Sequence, residues 1–428
     1  MRRATAHVIG AGLAGLTAAR ALAVSERCDV VVHEARAQVG GRRRSFRDDT
    51  IGIDVDIGNF PLLSGWKAAL ALVDAIGSRS EWVEDKEPGI AFADFSDGAR
   101  WRLTPNVGRL PWWILDSSRR GPGLVASDYW RLRGLLTAPP DSTVAAFAPK
   151  DGLSFDRLWR PLALATLNCE PDAASAQLAG GIVRQAMTAG GAGLKILTPA
   201  VSFGRAFVEP LSRAAERKGV AIRLGRKLVS IGFENSRVAY LDFEHDRVEI
   251  GPRDGVIFAA SWHATASLVP GIDGTSGISQ VLAVHFAVEP PRGLPSVVGV
   301  VHGAFQWLFC YRDRISVTIR DASKVVDAPR DAVAAECWLQ AAALTGLGDA
   351  LPPWRVVASR RATFPATPEN VSRRPTTSTR WENLFLAGGY VNLSWPDSVE
   401  SSVRSGEMAA HAWANRDVGK EPRLRTTA

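Results

Sequence analysis

Three glycines and one glutamate carry the clearest chemistry in this 428-residue chain. Gly10, Gly12 and Gly15 stand in the run Gly10-Ala11-Gly12-Leu13-Ala14-Gly15, and Glu34 follows the last of them by 19 positions. A dinucleotide needs those residue types at that spacing. Gly10 lets the chain turn, Gly12 lets the backbone approach a pyrophosphate, and Gly15 lets a helix pack on a strand. The phosphates sit on the helix N-terminus at Leu13 and Ala14, where free N–H groups and the helix dipole favour anions. Glu34, with Ala35 beside it, can accept hydrogen bonds from an adenosine ribose, and its charge argues against a 2′-phosphate and so against NADP. The elements that must hold these residues are legible around them. Ala6-His7-Val8-Ile9 and Val30-Val31-Val32-His33 are apolar runs, and Leu16 to Val24 is rich in alanine and leucine. The order is strand, glycine turn, helix, second strand.

The residues after Glu34 choose between NAD and FAD. Val39-Gly40-Gly41-Arg42-Arg43-Arg44-Ser45 contains a second glycine pair that NAD does not require. It resembles the GGR-x-x-S extension of FAD oxidoreductases of the amine oxidase and phytoene desaturase type. The resemblance implies that Gly41 passes close to the diphosphate, that Arg42 supports it, and that Arg43 and Arg44 are solvated. It also adds Val229 to the cofactor contacts. Near the other end, Asn383-Leu384-Phe385-Leu386-Ala387-Gly388-Gly389 reads as a strand running into a glycine turn. Trp395-Pro396-Asp397-Ser398-Val399-Glu400 then opens a helix through Ala409. Gly388, Gly389, Pro396, Ser398 and Val399 are the expected contacts of this second unit, with the helix N-terminus stabilising negative charge on a reduced flavin. No cysteine lies in the segment, so the flavin is expected to be held non-covalently.

Length suggests about two domains. The 46% apolar content supports a large core. Four cysteines without CxxC spacing and seven scattered histidines point to neither a disulfide framework nor a metal site, and fit a reducing cytoplasm. Met1-Arg2-Arg3 and the following apolar stretch imitate a targeting signal, but the glycine fingerprint occupies that stretch. No run of 18 apolar residues exists to span a bilayer. The stretch Arg100–Arg133 holds seven arginines against Asp116 and Asp128, together with Trp101, Trp112, Trp113 and Trp130. No nucleic-acid motif accompanies it, and tryptophan beside arginine on an apolar segment fits a bilayer interface.

Hydrophobic patterning places a strand over Thr50–Asp56, a turn at Gly58–Pro61 and a helix over Trp66–Ile76. Helices follow over Phe155–Leu167, Ala173–Thr188, Phe203–Lys218 and Ala328–Leu344. Strands are expected at Val220–Leu224, Lys227–Phe233, Asp254–Ala260, Val281–Val288, Val297–Val301 and Ile315–Ile319. The fold class is α/β, a Rossmann-like FAD-binding domain of the glutathione reductase/amine oxidase type with an inserted α+β substrate domain. Residues 1–80, 200–264 and 376–415 form the discontinuous FAD domain. Residues 81–199 and 265–375 form the substrate and membrane-facing domain, and 416–428 a disordered tail.

The resemblance sharpens in three places. Phe364-Pro365-Ala366-Thr367-Pro368, then Asn383 to Gly388, then Pro396 to Glu400 with Val403-Arg404-Ser405-Gly406, look like the C-terminal signature of the squalene-associated FAD-dependent desaturases, now understood as hydroxysqualene dehydroxylases. Trp159-Arg160-Pro161-Leu162-Ala163-Leu164-Ala165-Thr166-Leu167-Asn168 and Ala173-Ala174-Ser175-Ala176-Gln177-Leu178 resemble that family's central segment. The resemblance implies reduction of hydroxysqualene to squalene by reduced FAD, feeding hopanoid synthesis. It further implies a membrane-resident isoprenoid substrate, peripheral docking through Trp112 and Trp113 at the inner face of the cytoplasmic membrane, and an electron donor still to be identified. Dehydroxylation calls for polar residues near the leaving hydroxyl, for which Asp56 and Asn168 are the candidates, and for an apolar, aromatic pocket, for which Phe60, Tyr390 and Trp395 are. Relatives carry aspartate after the strand glycine, where its carboxylate takes a ribitol hydroxyl, so Gly389 is expected to weaken FAD binding. An isoprenoid or carotenoid desaturase, an amine oxidase and a flavin-free lipid-binding paralogue remain as rival readings.

Overall fold

The computed structural model describes residues 3–416, so the expected tail lies outside the described residues beyond Arg416. A five-stranded parallel sheet runs in the order Ala221–Arg223, Asp29–His33, Thr5–Ile9, Gly255–Phe258, Leu384–Leu386. Two of its three interior strands, Thr5–Ile9 and Gly255–Phe258, are buried along their whole length, as strands covered on both faces must be. The first strand ends at Gly10, whose φ is +102°, and a β-carbon there would press on the carbonyl of Ala259 at 2.9 Å. A β-carbon on Gly15 would overlap the Gly10 carbonyl oxygen. The tight turn and the seating of helix Leu13–Val24 therefore both require glycine. Helix Val399–Ala414 packs on helix Leu13–Val24, with Gly406 against the Ala14 carbonyl.

A seven-stranded sheet forms the second layer, in the order Trp354–Thr363, Ser279–Phe286, Ile315–Arg320, Trp307–Cys310, Val297–Val301, Ile90–Asp94, Arg100–Leu103. All its pairs are antiparallel except Val297–Val301 with Ile90–Asp94. Helix Arg330–Thr345 packs against a core containing Leu282, Val284, Phe286 and Val317. Residues 90–103 and 354–363 were not anticipated as strands. Their arginines and tryptophans mask the alternation, and the sheet is recognised only when its partners are in place.

Two helices open with a π turn, Phe155–Trp159 and Gly204–Val208. Each leads into a proline, Pro161 and Pro210, which has no N–H for the ordinary ladder. The N–H of Arg160 reaches back to the Phe155 carbonyl, and that of Glu209 to the Gly204 carbonyl. The wider turn absorbs the missing donor without ending the helix. No helix of the described residues is long and apolar enough to cross a membrane.

Candidate functional site

The glycine turn forms a cradle that fits a phosphate. A β-carbon on Gly12 would meet nothing within 4 Å. Gly12 is also the N-cap of helix Leu13–Val24, which has no side-chain cap and no acid in its first turn. An uncapped N-terminus facing open space suits an anion. Glu34 is buried at the end of its strand, where Oε2 accepts the Ala11 N–H at 2.8 Å and Oε1 the Arg36 N–H at 3.0 Å. Those bonds fix the carboxylate and leave lone pairs for a ribose. Gly40 and Gly41 cross Gly12, with φ +107° and +55°. Ala35 is exposed, and Val229 is half-exposed on strand Leu228–Glu234. Every feature of this end fits a dinucleotide.

A cavity of about 290 Å³ lies between Arg42 and the large sheet. Its walls are largely apolar, including Ile57, Leu63, Val281, Trp307 and Phe309, and Phe60 and Trp395 line it as expected. Asn168 lines it too. This residue ends helix Arg160–Leu167 in the left-handed conformation at φ 52°. Its amide N–H₂ faces Ser279 Oγ and Thr363 Oγ1, while its buried Oδ1 has no partner among the described residues. It is an unpaired acceptor beside the cavity.

Four expectations need correction. Asp56 does not line the cavity. Its Oδ2 meets Arg314 Nη2 at 2.9 Å, and its Oδ1 accepts from the Ser45 hydroxyl and, at 3.0 Å, the Phe203 N–H. Burial pushes its carboxyl up and the Arg314 charge works against this; both side chains are almost fully buried, so the pair is structural. Tyr390 also stays out of the cavity. It is 2% exposed, stacks on Trp262, and shares a 3.0 Å hydrogen bond with the Thr265 hydroxyl. Arg43 is not solvated but 8% exposed, lying over the Phe60 ring at 4.5 Å and lining the cavity. Trp113 is part-buried against Tyr129, with ring centroids 5.0 Å apart.

The position of Gly389 is also unlike the expectation. A β-carbon there would fall on the carboxylate of Asp397, which already fills the place. Asp397 is buried, lines the cavity and pairs with Arg42, whose second amino group lies 3.2 Å from Oδ1. Burial raises its carboxyl and the charges of Arg42, Arg43 and Arg374 more than offset this, so the net direction is down. Arg374, which no motif had singled out, donates to the backbone carbonyls of Gly389, Tyr390, Val391 and Trp395. One guanidinium thus fixes the loop that delivers Pro396–Val399 to the cavity. Glu400, next along, caps helix Lys67–Ala75 by accepting from Ala68 and Ala69.

Residues 13–412 match the family model of flavin containing amine oxidoreductases. A hydroxysqualene dehydroxylase of Sinorhizobium fredii is 40% identical over 94% of the chain and 97% of its own length. One from Rhodopseudomonas palustris is also 40% identical, over 95% and 97%. Among solved structures, putrescine oxidase superposes with a TM-score of 0.72 at 17% identity, covering 97% of this chain and 100% of that one. Cyclohexylamine oxidase from Brevibacterium oxydans gives 0.71 at 16%, covering 96% and 99%.

Because Asp56 balances a buried guanidinium, Asp56→Asn should destabilise the fold by about 3–5 kcal/mol. Urea unfolding followed by tryptophan fluorescence measures the loss. A change under 1 kcal/mol or so, within the range of an exposed pair, would show that Asp313, 3.0 Å from Arg314 Nη1, suffices as the counter-charge.

Proposed function

The chain belongs to the flavin containing amine oxidoreductases and, within them, to the hydroxysqualene dehydroxylases, and on that footing we propose that it reduces hydroxysqualene to squalene in a route towards hopanoids. FAD, held non-covalently, supplies the hydride when reduced. Gly10, Gly12, Leu13, Ala14 and Gly15 hold the diphosphate, Glu34 the ribose, and Gly41, Arg42, Gly388, Pro396, Ser398 and Val399 the flavin end. Asp397 places a carboxylate where a side chain at residue 389 would lie.

The observation that carries this reading is the charge of the cavity. Arg42, Arg43 and Arg320 line a largely apolar space, with Asp397 as the single carboxylate in its wall among the described residues. A protonated amine would be repelled there, which sets the amine oxidase reading aside. A long apolar alcohol is accommodated, with Asn168 Oδ1 accepting the substrate O–H and orienting it. The same arginines oppose a free allylic cation, so C–O cleavage and hydride arrival run together.

We place substrate entry beside the loop 107–115. Val107, Leu110, Trp112 and Leu115 are 62–67% exposed. The loop is pinned to the end of helix Ala176–Ala189 through Gly191 N–H to Asn106 O at 3.0 Å, and that helix lends Ile182 and Gln185 to the cavity. Trp130 is exposed as well, with Arg133 over its ring at 4.4 Å. Exposed apolar side chains, with an arginine against Trp130, support peripheral contact with an anionic bilayer.

Enzyme reduced without oxygen should be reoxidised by hydroxysqualene, with squalene formed in proportion and deuterium at flavin N5 transferred to it. Bleaching of oxidised enzyme by a saturated isoprenoid, with no response to hydroxysqualene, would install the desaturase reading instead. Gly389→Asp should weaken FAD binding by about ten- to hundredfold, the worth of one charge-assisted hydrogen bond, because the new side chain displaces Asp397. Asp397→Ala should weaken it similarly, and the double variant should recover most of the loss; equilibrium FAD titration that shows tightening in Gly389→Asp alone refutes the replacement. Sedimentation with anionic liposomes should fall in high salt, where screening shortens to about 3 Å at 1 M, and in Leu110→Ala/Trp112→Ala. Unchanged sedimentation in that variant moves the contact elsewhere.

A further inference from the structure

Two of the cavity's three arginines have no anion. Arg42 is paired with Asp397 and also donates to the Ala362 carbonyl at 2.7 Å. Arg43 and Arg320 have no side-chain hydrogen bond and no carboxylate within ion-pair distance among the described residues, and the Nε of each is buried without a partner. The sheet register explains why Arg320 faces the cavity. Val281 pairs with Arg320 on one side and Ser359 on the other, and all three line the space. Thr318, two residues earlier on the same face, lines it too but is engaged by Asn59, whose amide group donates to it at 2.8 Å. Desolvation, the largest cause for each, lowers both guanidiniums to about 10. A desolvated guanidinium with unused donors in an apolar chamber is costly unless a ligand oxygen completes it.

We propose that Arg320, seconded by Arg43, is the recognition site for the departing oxygen of the isoprenoid alcohol. The inference rests on the dehydroxylase reading and names the residues that read its substrate. In the step, the C–O bond would break with its electron pair on oxygen; the reduced cofactor would supply the hydride of the new C–H bond and, in its neutral dihydro form, the proton that turns the oxygen into water. Arginine does not give that proton. It donates hydrogen bonds to an oxygen whose negative charge grows as the bond lengthens, a contact that strengthens towards the transition state. The hydrocarbon product lacks the oxygen, so it leaves the guanidiniums unsatisfied and is released. Asn168 and Arg320 divide the recognition: the amide oxygen accepts the O–H, and the guanidinium donates to the lone pairs.

The test uses oxidised holoenzyme, which binds without turnover. Hydroxysqualene and squalene are titrated while the flavin absorbance is followed. Wild-type enzyme should prefer the alcohol by about ten- to hundredfold, the worth of hydrogen bonds to a charged donor. Arg320→Gln should bring the two affinities close to parity, with FAD affinity unchanged, and Arg320→Lys should keep part of the preference. Full preference in both variants overturns the proposal. So does Arg320→Gln that loses FAD affinity with the preference intact, which gives the guanidinium to the cofactor. Inorganic pyrophosphate that competes with the alcohol in wild type and not in Arg320→Gln also overturns it, in favour of an anionic head group. Failure of the underlying reading looks different: wild-type enzyme then forms no squalene and has no preference to lose.

Discussion

The Arg42–Asp397 ion pair joins the two ends of the chain across 355 residues, and the site exists only once it is made. Arg42 comes from the turn that crosses the glycine loop, and Asp397 from the entrance to the last long helix. A pair so placed stabilises little by itself, because both groups lose water on burial. Its value is geometric. With Asp397 in the space that a side chain at residue 389 would occupy, the loop 389–395 has one arrangement, and Arg374 holds it through four carbonyls. Glu400 extends the same logic by tying the last helix to helix Lys67–Ala75.

What the sequence discloses and what it hides divide along a physical line. Gly10, Gly12, Gly15 and Glu34 were legible because local sterics decide them: the spacing of a strand, a turn and a helix leaves no other residue type at Gly10 and Gly15. The fates of Asp56, Arg43 and Tyr390 are decided by partners far along the chain. Asp56 looked like an acid beside an active-site turn, but Arg314 lies 258 residues away and claims it. Tyr390 sits next to a flavin motif, yet its ring turns towards Trp262 and Thr265. Arg320 ends a strand that was expected to stop at Ile319, so its role was invisible until Val281 and Ser359 were known to flank it. The strands at 90–103 and 354–363 were missed for the same reason: each acquires its inward face only from the sheet.

The fold itself does not select the chemistry. A parallel-sheet cofactor domain set against a large, mostly antiparallel sheet serves amine oxidation in other proteins. What this cavity adds is charge. Two unit charges of like sign 4 Å apart, at an effective dielectric constant of 20, repel by about 4 kcal/mol, close to a thousandfold in affinity. An ammonium substrate beside Arg43 or Arg320 would meet that penalty at each contact. A neutral alcohol does not, and as its oxygen takes on charge the sign of the interaction turns in its favour. The cavity thus discriminates at both stages, against cations in the ground state and for the departing oxygen in the transition state. The apolar wall formed by Trp307, Phe309 and Val281 then has a second task beyond holding isoprenoid chain: by excluding water it keeps the local dielectric low enough for two guanidiniums to matter.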